Sequence, residues 1–288
     1  MDSMTWTLGD LTVNRIGFGA MRLTSNSDGT PSDRDRAIGV LRRALELGVN
    51  HIDTAAFYFS PLRSANELIN RALAPYPDDL VITTKVGPGK DPSGEWLGLA
   101  RPDQLRGQVE ENIRQLGRDH LDVVNLRFHG SEPLAEHFGA LAELREAGLV
   151  RHLGISNVKP HHLAEARAIA PVVCVQNRYG IGTTRDDGFL RSCCEQGVAF
   201  VPYFALAGKG REAGLSGGHP EEVLAIAAAH GVSATQVRLA WTLARGPHVL
   251  AIPGTGHADH LADNVAAGAL RLTQDDLDRL DALHRQGE

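Results

Sequence analysis

Short apolar runs alternate with longer amphipathic segments along most of this chain. Residues 15–20, 50–53, 80–85, 121–126, 150–155, 172–176, 197–201 and 248–252 carry the runs that read as strands. Residues 32–47, 64–73, 102–116, 134–147, 160–169, 186–196, 220–230, 233–244 and 258–267 read as helices. Strands alternating with helices imply a parallel sheet. Eight such units in 288 residues fit a closed (β/α)8 barrel, one domain spanning 1–288, better than an open doubly wound sheet. An open sheet would want a glycine-rich dinucleotide turn after its first strand, and Gly17-Phe-Gly-Ala-Met lacks the third glycine. Residues 5–13 read as a hairpin turning at Gly9-Asp10, placed to plug the barrel floor. The segment after 267 reads as a short tail that gives the barrel mouth little cover.

Barrels of this kind carry their chemistry at the carboxyl ends of the strands. Asp53 and Tyr58, in Asp53-Thr-Ala-Ala-Phe-Tyr58, and Lys85, closing Val81-Ile-Thr-Thr-Lys85, all fall there. An acid, a phenol and an amine brought together make a tuned proton donor, because a cation beside a phenol eases loss of its proton. That is equipment for reducing a carbonyl. Two long glycine-containing loops, 87–100 and 207–219, also follow strands and read as lids on the same face.

Composition narrows the field. A net charge of −6 argues against a general nucleic-acid or anionic-membrane surface. No apolar run is long enough to span a bilayer, and the first residues lack the basic run and apolar core of a signal peptide. Cys174, Cys193 and Cys194 are an odd set without metal spacing, so a disulfide framework is not expected and the cytoplasm is the natural compartment. No Cys/His cluster has metal-ligand spacing. His51, two residues before Asp53, is expected to face the barrel interior or a neighbour.

Gly48-Val-Asn-His-Ile-Asp-Thr-Ala55, Lys85 at a strand end, Gly154-Ile-Ser-Asn157, Gln176-Asn177 and Ile252-Pro-Gly-Thr255 follow one another along the chain. By these marks it resembles the aldo-keto reductase family from the hairpin to about Leu283. Each is weak alone; their order at successive strand ends is specific. The resemblance implies NADP(H) extended across the barrel mouth and hydride transfer to the carbonyl of a small-molecule substrate. It makes Tyr58 the proton donor, Lys85 the cation beside it and Asp53 the partner of Lys85. Ser156, Asn157 and Gln176 match positions that hydrogen-bond the nicotinamide carboxamide, and Tyr203 matches the aromatic stacked on that ring. Backbone amides from Phe204 to Leu206 match the pyrophosphate approach. Gly254 and Thr255, before a helix, suit the adenosine-side phosphate, and Asn264 matches the adenine contact.

Two positions depart from the family pattern. The family usually has His five residues after the Asp of the fourth strand; counting from Asp122 gives Arg127. Arginine is no proton shuttle, but it can donate hydrogen bonds to a substrate oxygen. His129, two residues on, falls on the same side by strand alternation and could enter the site if the strand end bends, but it reads rather as a loop residue. Arg127 orienting a carboxylate-bearing or polar carbonyl substrate is the preferred reading. The alternatives are His129 standing in for the missing His, a reductase for a C=C or polyketide-like substrate, and a cofactor-binding regulatory subunit. The second departure lies on the cofactor side. Gly256 and His260 stand where a Lys and an Arg usually meet the 2′-phosphate, so NADPH is expected with NADH as the alternative. Met21, Phe57, Trp96 and Phe128 are the expected apolar walls on the substrate side.

Overall fold

The computed structural model describes residues 4–26, 30–130, 132–182, 186–206 and 218–286. The chain opens with strands β1 (Thr5–Leu8) and β2 (Leu11–Asn14), an antiparallel hairpin. Gly9 turns it at φ 67°, and a Cβ there would lie 2.2 Å from the His152 ring, so only glycine fits. Then come β3 (Phe18–Gly19), α1 (Arg34–Glu46), β4 (His51–Asp53), the small ribbon β5 (Phe59–Ser60) with β6 (Arg63–Ser64), and α2 (Ala65–Leu73). Strand β7 (Val81–Val86) precedes a second ribbon, β8 (Pro88–Lys90) with β9 (Trp96–Leu99), and then α3 (Leu105–Leu116). The pattern continues with β10 (Leu121–Arg127), α4 (Ala135–Glu146), β11 (Val150–Ser156), α5 (Pro160–Ile169), β12 (Val172–Gln176), α6 (Asp187–Glu195) and β13 (Ala199–Phe200). Helices α7 (Glu221–His230), α8 (Ala234–Leu243), α9 (Ala258–Ala266) and α10 (Gln274–Gln286) complete the chain.

Seven strands form one parallel sheet in the order β13–β12–β11–β10–β7–β4–β3. Residues 248–252, the eighth expected strand, close it. Val249 bridges Phe200 on one side and Ala251 bridges Ile16 on the other. Leu250 N–H donates to Phe200 O at 2.9 Å, and Gly17 N–H donates to Ala251 O at 2.8 Å. The barrel expected from the repeating pattern is therefore closed. Arg15 clamps the seam: its buried guanidinium donates to the backbone oxygens of Val249 (3.2 Å), Leu243 (2.5 Å) and Gly246 (2.6 Å).

Strand alternation sorts the apolar residues into two cores. Val81, Val123, Val173, Ala199, Val201 and Leu250 point inward and meet Leu8 and Val13 of the hairpin. Asp10 at the hairpin tip pairs with Arg151 and His152 at the foot of β11. The hairpin thus seals the floor, as expected. The neighbouring positions Ile82, Val124, Leu126, Ile155 and Val175 point outward under the helices.

Loop 87–100 is an ordered ribbon, in which β8 and β9 pair between Pro88↔Leu99 and Lys90↔Trp96; the second loop lies outside the described residues at 207–217. One expectation needs revision. The segment after 267 is no mere tail. Helix α10 seats buried Leu280 and His284 against the outer ring, and its Arg279 pairs with Glu222. No single helix among the described residues is long and apolar enough to cross a membrane.

Candidate active site

Alternation places His51 and Asp53 of β4, Thr83 and Lys85 of β7, Asn125 and Arg127 of β10, and Gln176 of β12 toward the barrel interior. Register aligns Asp53 with Thr83, Asn125 with Lys85, and Arg127 with Ser156. Above the apolar floor the interior is therefore polar. Lys85 Nζ donates to Asp53 Oδ1 at 2.6 Å and to the Thr54 carbonyl at 2.9 Å. The other Asp53 oxygen accepts from Gln176 Nε2 at 2.7 Å. Lys85 and Asp53 are both 3% exposed, so the pair is sealed from water. Burial pulls the Lys85 ammonium's pKa down, but the charge and hydrogen bond of Asp53 lead the contacts that outweigh it, and the net direction is up. Lys85 is a fixed cation.

Tyr58 sits over that cation. It lies on the loop after β4, pinned where its N–H meets Ala55 O at 3.0 Å and its carbonyl takes the Ala65 N–H at 2.9 Å. Lys85 Nζ lies 4.8 Å from the centroid of its ring. Asp53, Tyr58, Lys85, Arg127 and Gln176 all line one cavity of about 370 Å3. The acid, phenol and amine singled out in the sequence are thus brought together. Behind them runs a buried amide network that sequence reasoning missed. Thr54 Oγ1 donates to Asn66 Oδ1 (2.8 Å), Asn66 Nδ2 to Asn112 Oδ1 (2.9 Å), and Thr84 Oγ1 also to Asn112 Oδ1 (2.6 Å). The signal was two asparagines on the apolar faces of α2 and α3.

Arg127 ends β10 at the cavity wall. Its Cζ lies 5.6 Å from the Trp96 ring, 5.9 Å from Phe57 and 6.0 Å from Tyr203. His129 falls elsewhere. The strand stops at Arg127, so alternation no longer governs, and His129 is exposed with Nδ1 3.0 Å from Asn157 Nδ2. It is absent from the cavity lining. Burial and then the Arg127 charge lower its pKa. Among the expected walls, Met21 lines the cavity, and Phe57 and Trp96 flank Arg127. Phe128 is not a substrate-side wall: it packs edge-on to His137 and His162 in the outer layer, where burial in the outer apolar core holds its ring. His51 is buried inside the barrel as expected, 3.1 Å from Thr83 Oγ1.

The cavity continues from Gln176 past Tyr203, Phe204, Ala205 and Leu206 to Gly254, Thr255, His260 and Asn264. Ser156 and Asn157 do not line it. Ser156 is buried in β11, and the Asn157 side chain is engaged, donating to Phe128 O at 2.8 Å and accepting from the Tyr203 hydroxyl at 3.1 Å. Asn157 and Phe204 both adopt left-handed backbone, each at φ 59°. Gly254 stands at the closing seam, where a Cβ would meet Gly19 O at 2.4 Å. A second cavity of about 420 Å3 shares Arg22, Gly254, Thr255 and His260 with the first and adds Arg36 and His257. Arg22 and Arg36 were not anticipated. No group of three or more His, Cys, Asp or Glu among the described residues could hold a metal ion.

The aldo/keto reductase family profile matches residues 15–285. The chain belongs to that family. It is 44% identical to pyridoxine 4-dehydrogenase of Escherichia coli, over 99% of this chain and 100% of the relative. Among solved structures, a thermostable aldo-keto reductase in complex with the inhibitor epalrestat superposes with a TM-score of 0.80 at 31% identity, covering 98% of this chain and 100% of that one. An aldo-keto reductase from Klebsiella pneumoniae, crystallised with NADPH, gives a TM-score of 0.81 at 27% identity, covering 99% and 96%. Asp53, Tyr58 and Lys85 meet in one cavity of this family's barrel. Arg127 is left to be explained.

Proposed function

We propose that this protein reduces an aldehyde to the alcohol with NADPH, and that its substrate is a pyridine aldehyde of the pyridoxine type. The observation that carries the reading is the sealed Lys85–Asp53 pair beneath Tyr58, opening into an elongated cavity. The substrate class follows from the 44% identity to a relative named for dehydrogenating pyridoxine, the same chemistry run backwards.

The residues present fit a nicotinamide dinucleotide. Gln176 Oε1 is buried without a partner, because its amide nitrogen is committed to Asp53. That leaves an acceptor facing the cavity for a carboxamide N–H. Tyr203 walls the same stretch, and Phe204 to Leu206, Thr255, His260 and Asn264 run on to the far end. When bound, the cofactor supplies the hydride. The Tyr58 hydroxyl gives its proton to the substrate oxygen as hydride reaches the carbon, and water restores the proton. Lys85 steadies the tyrosinate, Asp53 holds Lys85 in place, and Arg127 donates to the substrate oxygen. Arg36, His257 and His260 around the second cavity favour NADPH over NADH. Three free thiols agree with a cytoplasmic setting.

The test is NADPH oxidation with aromatic aldehydes and with the aldehyde of pyridoxine, NADH in parallel. Tyr58→Phe should lower kcat by about 10²- to 10⁴-fold. Unchanged turnover in Tyr58→Phe, or cofactor binding without turnover of any aldehyde, overturns the proposal.

A further inference from the structure

Arg127 is walled rather than paired. Trp96, Phe57 and Tyr203 present their rings to its guanidinium at 5.6, 5.9 and 6.0 Å. Among the described residues no carboxylate or other side chain pairs with it, and its Nε is buried without an acceptor. A guanidinium left so is costly unless an anion completes it. The flat fork of a guanidinium matches two oxygens lying side by side in one plane. A histidine in this place offers one N–H at a time and is largely neutral at physiological pH.

We propose that Arg127 selects aryl aldehydes carrying an ionised hydroxyl ortho to the formyl group. One arm of the fork takes the carbonyl oxygen and the other takes the neighbouring phenolate. This rests on the reading of the site as a carbonyl reductase. Ortho substitution sets both oxygens in the plane of the ring, on the same edge. The aldehyde corresponding to pyridoxine has this arrangement at ring positions 3 and 4, and its ring nitrogen takes up a proton, leaving the hydroxyl ionised near neutrality. Phe57 and Trp96 flank the guanidinium, and the rings of Tyr58 and Tyr203 in the cavity lining suit an aromatic ring. Reduction puts new negative charge on the carbonyl oxygen beside the phenolate, so the fork's attraction rises toward the transition state. The phenolate itself is unchanged by the reaction.

The experiment compares kcat/KM for 2-hydroxy-, 4-hydroxy- and 2-methoxybenzaldehyde in the wild type, Arg127→Lys and Arg127→Met. The wild type should prefer the 2-hydroxy aldehyde by about 10- to 100-fold, the worth of a charge-assisted hydrogen bond. The preference should grow as pH rises through ionisation of that hydroxyl. Arg127→Lys should keep part of it, through charge without the fork, and Arg127→Met should abolish it. Calorimetric binding of pyridoxine against its 3-methyl ether gives a readout independent of turnover, with the wild type again favouring the free hydroxyl. Equal rates for the three aldehydes in the wild type overturn the inference. So does an Arg127→Met variant that slows all three by one common factor. Should a variant fail to fold, the wild-type ratios and the calorimetry still decide. Absence of turnover on every aldehyde defeats the reductase reading instead, and the pyridoxine binding ratio then judges Arg127 alone.

Discussion

Each oxygen of Asp53 has its own partner, Lys85 on one side and Gln176 on the other. One buried carboxylate therefore fixes both the cation under Tyr58 and the Gln176 amide in the cavity lining. Asp53→Asn removes the charge that keeps Lys85 protonated. Burial then acts on Lys85 unopposed by that carboxylate, and burial lowers its pKa. Lys85 in the variant should lose its proton at lower pH, so the alkaline limb of the kcat profile should move to lower pH. Leaving the ammonium sealed without its partner should also cost about 3–5 kcal/mol of stability, read by urea unfolding. An unshifted limb with unaltered stability would mean that Asp53 does not hold Lys85 charged. Asp53, Tyr58 and Lys85 were legible in the sequence because strand ends converge in a barrel. The loop placement of His129 was legible too, because alternation carries no information past the last residue of β10.

At the scale of elements, the β8–β9 ribbon brings Trp96 over the cavity wall. Trp96 is 54% exposed and belongs to neither apolar core, yet its ring packs 5.4 Å from Phe57 and 5.6 Å from the Arg127 guanidinium. Its contribution is to binding. Trp96→Ala should raise KM for aryl aldehydes about two- to fivefold, the worth of an exposed cation–π contact, with kcat and Tm nearly unchanged. A fall in kcat at constant KM would instead assign Trp96 to the reacting geometry. The ribbon was hard to foresee because Pro88, Gly89, Gly94 and Gly98 break the usual strand signal, and its outward residues carry no burial alternation. Helix α10 was different. Leu277, Leu280 and Leu283 repeat at helical spacing, and Thr273 exchanges hydrogen bonds with Asp276 across its first turn. That signature was present in the sequence and marks a helix start. The barrel strands themselves were plain, because a sheet covered on both faces writes itself as continuous apolar runs.

The whole molecule encloses several histidines that folding keeps neutral. His51, inside the barrel, is lowered to about 4, chiefly by burial and against the pull of Asp53. Burial also lowers His162 and His248. In the unfolded chain each takes up its proton near the ordinary histidine value of about 6.5. Between about pH 6.5 and 4 the unfolded chain therefore binds more protons than the folded one, and stability rises with pH across that window. The stabilisation is complete above the unfolded value and is lost as pH falls toward the folded one. For His51 alone the loss is about 3 kcal/mol over the whole window. The urea midpoint should accordingly drop on acidification from pH 7 to 4.5. His51→Gln keeps a polar side chain beside Thr83 but cannot titrate, so its unfolding free energy from the urea curves should fall less steeply, by up to about 1.4 kcal/mol per pH unit. Parallel pH profiles for the two proteins would show that His51 titrates alike in both states. A shallower profile for the variant would locate acid sensitivity of the barrel at His51, beside the buried Asp53–Lys85 pair.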